Sequence, residues 1–129
     1  MRGSDVVDII KTSVPTRWAR IYVGLTVRAT GEMVAVDVVL RICREYCDRV
    51  HLCVTLAPTK YIYVDGSESG VVIGLINYPR FPKSQRVITR QALALAEELL
   101  MGCRQCRVSV ETPSRTYMLS DSRRILESE

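Results

Sequence analysis

The chain has 129 residues, of which 47% are hydrophobic and 25% are charged, and its formal net charge is +4 at pH 7. This composition excludes a disordered chain and predicts a single globular domain over residues 1–129 with its own core. No apolar run approaches the roughly 18 residues of a membrane span. The first five residues lack the apolar stretch of a signal peptide, so we expect a cytoplasmic protein without a membrane partner.

Residues 1–16 are predicted to be an N-terminal extension. It contains a possible short helix at 5–12, capped by Ser4 or Asp5 and ended by Pro15. A strand is expected at 20–27, because apolar and polar residues alternate there. One face of this strand is therefore predicted to be buried.

A long helix and a hairpin are predicted next. Apolar residues at three-to-four spacing between Thr30 and Asp48 form the inner stripe of an amphipathic helix. That stripe comprises Ala35, Val39, Ile42, Cys43 and Tyr46. A strand at 51–56, a turn at Pro58 and a strand at 61–64 follow. Residues 65–70 are rich in glycine and serine and are predicted to be a linker.

The second half of the chain predicts the same order of elements. A strand at 71–78 ends where Pro79 and Pro82 prevent further pairing. A helix is predicted at 85–101, with Ser84 as its N-cap and Gly102 just beyond its end. Strands at 107–111 and 116–119 follow, joined by a turn at Pro113. The tail at 122–129 is predicted to fray or to form a short helix.

The two halves therefore read as pseudo-repeats at 20–65 and 70–121, each with the order strand, helix, strand, strand. We predict an α+β fold made of a tandem βαββ repeat, with a mainly antiparallel six-stranded sheet and two long helices packed on one face. This order of elements resembles the effector-binding domains of the gyrase-inhibitor type, which are built from two such units. The resemblance implies a small-ligand cleft between the two repeats.

The sheet face without helices is the predicted site of function. Strand alternation and the loops beside it assign to this ligand or partner face Arg20, Tyr22, Gly24, Thr26, Arg28, His51, Thr55, Gly74, Tyr78, Arg107 and Glu111. Gly24 and Gly74 occupy equivalent places in the two repeats. A glycine inside a strand loses stability, and it is tolerated where a ligand or another chain segment comes close.

Three functions fit such a face. The main prediction is a non-enzymatic binding protein that forms a homodimer through the open face, since homodimers bury half-apolar surfaces rich in aromatic residues and arginine. A nucleic-acid-binding protein is the first alternative, with the sheet face and the basic loop 78–86 as its platform. A small-ligand (effector) binding domain with a cleft between the two repeats is the second. Arg80, Lys83 and Arg86 are the predicted anion or phosphate contacts, either for nucleic acid or for a small anionic ligand.

The sequence carries little evidence for an enzyme. His51 is the only histidine, and no serine or cysteine has the spacing of a catalytic triad. Residues 65–70 lack the lysine and the following helix of a phosphate-binding loop. We therefore predict no catalytic residue and no cofactor, and we lean against an enzyme.

The five cysteines include one Cys-x-x-Cys motif, at 103 and 106. It follows a helix instead of beginning one, and so lacks the field that activates redox cysteines. Cys47 lies opposite Cys103 in the repeat alignment, where a disulfide or a zinc site is conceivable. We predict no metal and five reduced thiols. The chain has 15 arginines, 3 lysines and a single asparagine, which is typical of a thermophilic source, where intracellular disulfides do occur.

Overall fold

The structure is a computed structural model that describes residues 6–128, with side chains described for 6–126. Within these residues, five strands and three helices follow in the order β1 (Trp18–Gly24), α1 (Val36–Val50), β2 (Thr55–Tyr63), β3 (Gly66–Ile76), α2 (Gln85–Gly102), β4 (Arg107–Glu111), β5 (Thr116–Ser120) and α3 (Ser122–Ser128). None of these helices is both long enough and apolar enough to cross a bilayer.

The five strands form one antiparallel sheet in the spatial order β2-β3-β1-β4-β5. Strand β1 lies between β3 and β4, and its Ile21 pairs with Ile73 on one side and with Val110 on the other. The first six elements have the βαββαβ order of the ferredoxin-like arrangement. Strand β5 extends that sheet at the β4 edge.

A single hydrophobic core lies on one side of the sheet. Alternate residues of the central strands, such as Ile21, Ile73 and Val110, are fully buried there. They pack in one cluster with the apolar stripes of α1 and α2. Because both long helices contribute to that cluster, they cover the same face of the sheet and leave the opposite face open, as predicted.

The predicted six strands and tandem repeat are not confirmed. Residues 55–63 form one strand that continues through Pro58, so the expected turn at Pro58 is absent. Strand β2 is at the sheet edge, where a residue without an N–H group does not interrupt a pairing ladder. The chain turns instead at Val64 and Asp65, and Tyr63 pairs with Gly66. The predicted linker 65–70 is therefore mostly the beginning of β3.

The start of α1 and the strand predicted at 51–56 also differ from expectation. A bridge between Thr26 and Met33 closes a turn in which Gly31 has a φ of 73°, so α1 begins at Val36. Ala35 is the exposed residue before the helix, not part of its buried stripe. His51 ends α1 in the left-handed conformation, with a φ of 55°. It is therefore a helix cap and not a strand residue.

Helix α2 agrees closely with the prediction. The Ser84 hydroxyl accepts a hydrogen bond from the Val87 N–H at 3.2 Å, and the helix then runs from Gln85 to Gly102. The predicted stripe is buried against the sheet, with Ile88 and Leu95 among its members. At the N-terminus, residues 6–12 form no helix, and the expected caps Ser4 and Asp5 lie outside the described residues.

The cysteines form no disulfide with one another. Cys43 and Cys103 are buried in the core, and burial raises the pKa of their thiols to about 12 and about 11. Cys53 is exposed, whereas Cys47 and Cys106 are half-buried. A thiol reacts as its thiolate, so the two core thiols have little reactivity near neutral pH.

We therefore expect Cys53 to be alkylated first by N-ethylmaleimide, while Cys43 and Cys103 stay unmodified until the protein unfolds. Peptide mass spectrometry after timed quenching measures the order of labelling, and Cys53→Ser should remove the fastest phase. All five thiols should react in denatured, non-reduced protein. Fewer than five would contradict the prediction of reduced cysteines.

Candidate functional site

The open face of the sheet carries most of the side chains that the sequence placed there. The strand register puts Arg20, Tyr22 and Gly24 of β1 on the side opposite the fully buried residues Ile21 and Val23. The neighbouring strands add to this face Thr55, Tyr61, Tyr63, Glu68, Gly70, Gly74, Arg107, Ser109 and Glu111. Gly24 and Gly74 do not lie side by side, because Gly24 pairs with Gly70 and Gly74 pairs with Arg20.

Glu68 is the central acidic group on this face. Its carboxylate lies directly over Gly24, where a β-carbon would be only 2.7 Å from Oε2. The same oxygen accepts a hydrogen bond from the Thr26 N–H at 3.3 Å. Gly24 is thus a glycine where a close approach requires one, as the sequence indicated. The group that approaches is a carboxylate from the neighbouring strand.

A second acidic group lies farther along β1. The Tyr22 hydroxyl donates a hydrogen bond to Glu111 Oε1 at 2.5 Å, and the Arg20 guanidinium is 3.7 Å from the same oxygen. The hydrogen bond to Glu111 and desolvation together raise the pKa of Tyr22. Arg20 also stacks 4.3 Å over the Trp18 ring. Glu111 is therefore already neutralised in part, whereas Glu68 has no ion pair among the described residues.

Tyr61 is the residue of β2 that pairs with Glu68 across the sheet. Its ring packs on Gly70, and its hydroxyl donates to the Val71 carbonyl at 2.6 Å. Burial raises the pKa of Tyr61 to about 12, and the nearby groups Tyr22 and Glu68 contribute in the same direction. Tyr61 therefore stays protonated at neutral pH. It lines the site as a neutral ring next to the Glu68 charge.

Glu68 also lines a cavity of about 500 Å³ at the end of β1. The cavity wall is formed by Thr26, Arg28, Tyr63, Ser67, Glu68, Gln105, Cys106 and Arg107. The buried Gln105 amide holds the wall in place by donating to the carbonyls of Thr26 and Cys103 at 3.2 and 3.0 Å. The volume is that of a small-molecule site, and the wall offers one anionic and two cationic side chains.

This arrangement suits a small ligand that carries both charges. The carboxylate of Glu68 can contact a cation, and the guanidinium groups of Arg28 and Arg107 can contact a carboxylate. Across residues 6–128, no three histidine, cysteine or acidic side chains are grouped so that they could hold a metal ion. The side chains of the wall can act through charge and hydrogen bonding.

Several predicted residues lie elsewhere. His51 and Tyr78 are at the opposite end of the sheet, where they line a separate cavity together with Lys83. Arg80 stacks 5.3 Å over the Phe81 ring, and Arg86 is in the first turn of α2. The structure therefore does not gather Arg80, Lys83 and Arg86 around one cavity.

Sequence reasoning missed Glu68 and Gly70 because both were assigned to a linker. The dipeptide Asp65-Gly66 is a frequent hairpin turn and indicated that a strand could follow it, but the pairing of Gly66 with Tyr63 was decided by the tertiary structure. Tyr61 begins the strand that the sequence predicted at 61–64. Its side is settled only by the register that pairs it with Glu68.

Two solved structures share this fold. A phage SAM lyase in complex with S-methyl-5′-thioadenosine is 21% identical, covers 90% of this chain and 98% of its own, and superimposes with a TM-score of 0.72. A phage SAM lyase in the apo state is 22% identical over 88% of this chain and 97% of its own, with a TM-score of 0.73. No protein-family model matches the sequence, and no curated protein matches it.

This similarity establishes the fold and contradicts the predicted function. We predicted a non-enzymatic binding protein, but both of these solved structures are of a phage SAM lyase, which is an enzyme. One of them binds a small ligand. Neither similarity shows a homodimer or a nucleic-acid partner. We leaned against an enzyme because the sequence has no catalytic triad and no phosphate-binding loop. Those motifs belong to other reaction classes than that of a SAM lyase.

Proposed function

We propose that this chain binds S-adenosylmethionine (SAM) on the open face and cleaves it to S-methyl-5′-thioadenosine. The observation that carries the proposal is the position of Glu68, an unneutralised carboxylate held over Gly24 at the wall of a 500 Å³ cavity. The shared fold supplies the ligand class, since one protein with this fold is a SAM lyase in complex with that thioether. Function resides in sites and not in folds, so the residues of this face must also fit the chemistry.

The charges of the site match the charges of SAM. The substrate carries a sulfonium and an ammonium group, and Glu68 supplies the negative charge for this cationic part. Its amino-acid carboxylate finds a cationic partner in Arg28 or Arg107, which line the same cavity. The rings of Tyr22, Tyr61 and Tyr63 lie on the face beside it and provide flat apolar surface for the adenosine part.

The reaction also fits a site without histidine. Forming the thioether from SAM breaks the bond between sulfur and the γ-carbon of the methionine side chain, and the electron pair of that bond passes to sulfur. The leaving group is then neutral, so no general acid is needed to protonate it. A lyase adds no water, so the four-carbon fragment is completed by ring closure of its own carboxylate or by loss of a proton. What the protein must supply is binding in the reactive conformation and a shielded, charged wall.

Purified protein incubated with SAM is the direct test. We expect S-methyl-5′-thioadenosine to accumulate in proportion to enzyme concentration, measured by liquid chromatography against a no-enzyme control for spontaneous breakdown. Nuclear magnetic resonance of the four-carbon product should show that water has not been added during cleavage. Absence of the thioether, together with absence of SAM binding by calorimetry, would reject the proposal.

A further inference from the structure

A second cavity of about 420 Å³ lies at the other end of the sheet. Its wall comprises His51, Leu52, Cys53, Ile76, Tyr78, Phe81 and Lys83. Glu68 and Ile76 are eight residues apart on β3, which separates this cavity from the Glu68 site by about 25 Å along the strand. The two cavities share no lining residue, so they can be tested independently.

The wall of this second cavity combines apolar surface with positive charge. Ile76 and Phe81 are 50% and 61% exposed, so both present apolar surface to water at this cavity. Lys83 forms no ion pair within the described part of the chain. The Arg80 guanidinium stacks 5.3 Å over the Phe81 ring but is not part of the cavity wall. No acidic side chain lines the cavity.

The segment that carries this wall is held in place by buried Asn77. Its side-chain amide donates to the Pro15 carbonyl at 2.8 Å, and its oxygen accepts from the Lys83 N–H at 2.7 Å. Arg17 donates to the Lys83 carbonyl at 3.0 Å. A turn between Tyr78 and Phe81 completes the wall. The backbone of Lys83 is therefore fixed at both polar groups, so the cavity is formed before any ligand arrives.

We propose that this cavity binds a small ligand made of an aromatic ring and an anionic group. The ring packs against Phe81, Ile76 and Leu52, where it covers apolar surface that is now in water. The anion contacts the Lys83 ammonium, and the Tyr78 hydroxyl and His51 are the further polar groups of the wall. This site does not depend on the proposed SAM chemistry.

Two cysteines report on the two cavities in a single experiment. Cys53 lines the second cavity, and Cys106 lines the Glu68 cavity. Phenyl phosphate carries a ring and an anion, whereas phenol carries only the ring and inorganic phosphate only the anion. We expect phenyl phosphate at ten times its Kd to slow alkylation of Cys53 by N-ethylmaleimide on the order of tenfold. Alkylation of Cys106 should keep its rate.

Two substitutions localise the effect. Lys83→Met and Phe81→Ala should each weaken protection of Cys53 by phenyl phosphate on the order of tenfold, whereas Lys60→Met, at an exposed lysine on β2, should leave it unchanged. The proposal is overturned if phenyl phosphate does not protect Cys53, if inorganic phosphate or phenol protects it equally well, or if Lys83→Met retains full protection. S-Methyl-5′-thioadenosine should instead slow the alkylation of Cys106. If it does not, the SAM proposal fails, whatever the result for Cys53.

Discussion

Replacing Glu68 with glutamine is expected to lower kcat/KM for SAM cleavage by about 10²-fold or more, with the fold unchanged. The amide has nearly the same shape as the carboxylate and can still accept the hydrogen bond from the Thr26 N–H. It cannot supply the negative charge that faces the cationic substrate. The magnitude is set by analogy with oxyanion holes, where removing one hydrogen-bond donor typically lowers kcat by about 10² to 10³.

Initial rates of thioether formation over a range of SAM concentrations measure this effect. A loss confined to KM would mean that Glu68 stabilises the bound substrate and the transition state equally, whereas a loss in kcat would mean that Glu68 stabilises the transition state more than the bound substrate. Glu97→Gln is the matched control, because Glu97 is an exposed glutamate on α2, on the helical side of the sheet. Equal rates for Glu68→Gln and the wild type would show that the Glu68 charge has no role in the reaction.

Gly24→Ala, on the neighbouring strand β1, tests whether the position of the Glu68 carboxylate matters. The new methyl group would be 2.7 Å from Glu68 Oε2, so the carboxylate must move away from the cavity wall. The neighbour is the end of a flexible side chain, and we therefore expect a small change in stability with a clear loss of activity. Full activity in this variant would show that the position of the Glu68 carboxylate over Gly24 is not required.

Replacing Gly70 with alanine is expected to destabilise the protein by about 3 kcal/mol, at the upper end of the range for overpacked positions. The added methyl group would be 2.5 Å from the Val23 carbonyl oxygen and would also collide with the Tyr61 ring. Val23 is fully buried in central strand β1 and pairs with Val71 of β3, so its backbone cannot move without disturbing that pairing. Tyr61 is held by its hydrogen bond to Val71.

Gly74→Ala is the matched comparison in the same strand. Its methyl group would be 2.6 Å from the Thr55 Oγ1, a side-chain atom that can rotate away, so we expect a cost of about 1 kcal/mol or less. Urea denaturation followed by circular dichroism measures both free energies of unfolding. Equal values for the two variants would mean that the backbone of β1 yields as easily as a threonine side chain.

The elements most dependent on local pattern were predictable from sequence. Helix α2 combines a capping serine, a three-to-four apolar stripe and no internal proline, and all three signals act within the helix itself. The hairpin of β4 and β5 and the alternation of β1 are also local. Successive side chains of a strand point to opposite faces, so the alternating pattern predicted that one face of each of these strands is buried. The strand register places Arg20, Tyr22 and Glu111 on the open face, and their role in binding stays a prediction.

The sequence by itself determined that this chain has long amphipathic helices, alternating strands and a sheet face bearing Tyr22, Glu111 and Arg20. Only the tertiary structure decided that Pro58 lies in an edge strand, that β3 begins at Gly66 and that Glu68 meets Gly24. The physical reason is that these facts depend on which strands pair. An edge tolerates a missing N–H group that a central strand does not, and pairing brings together residues more than forty positions apart, such as Thr26 and Glu68. Such contacts have no periodic signal in the sequence.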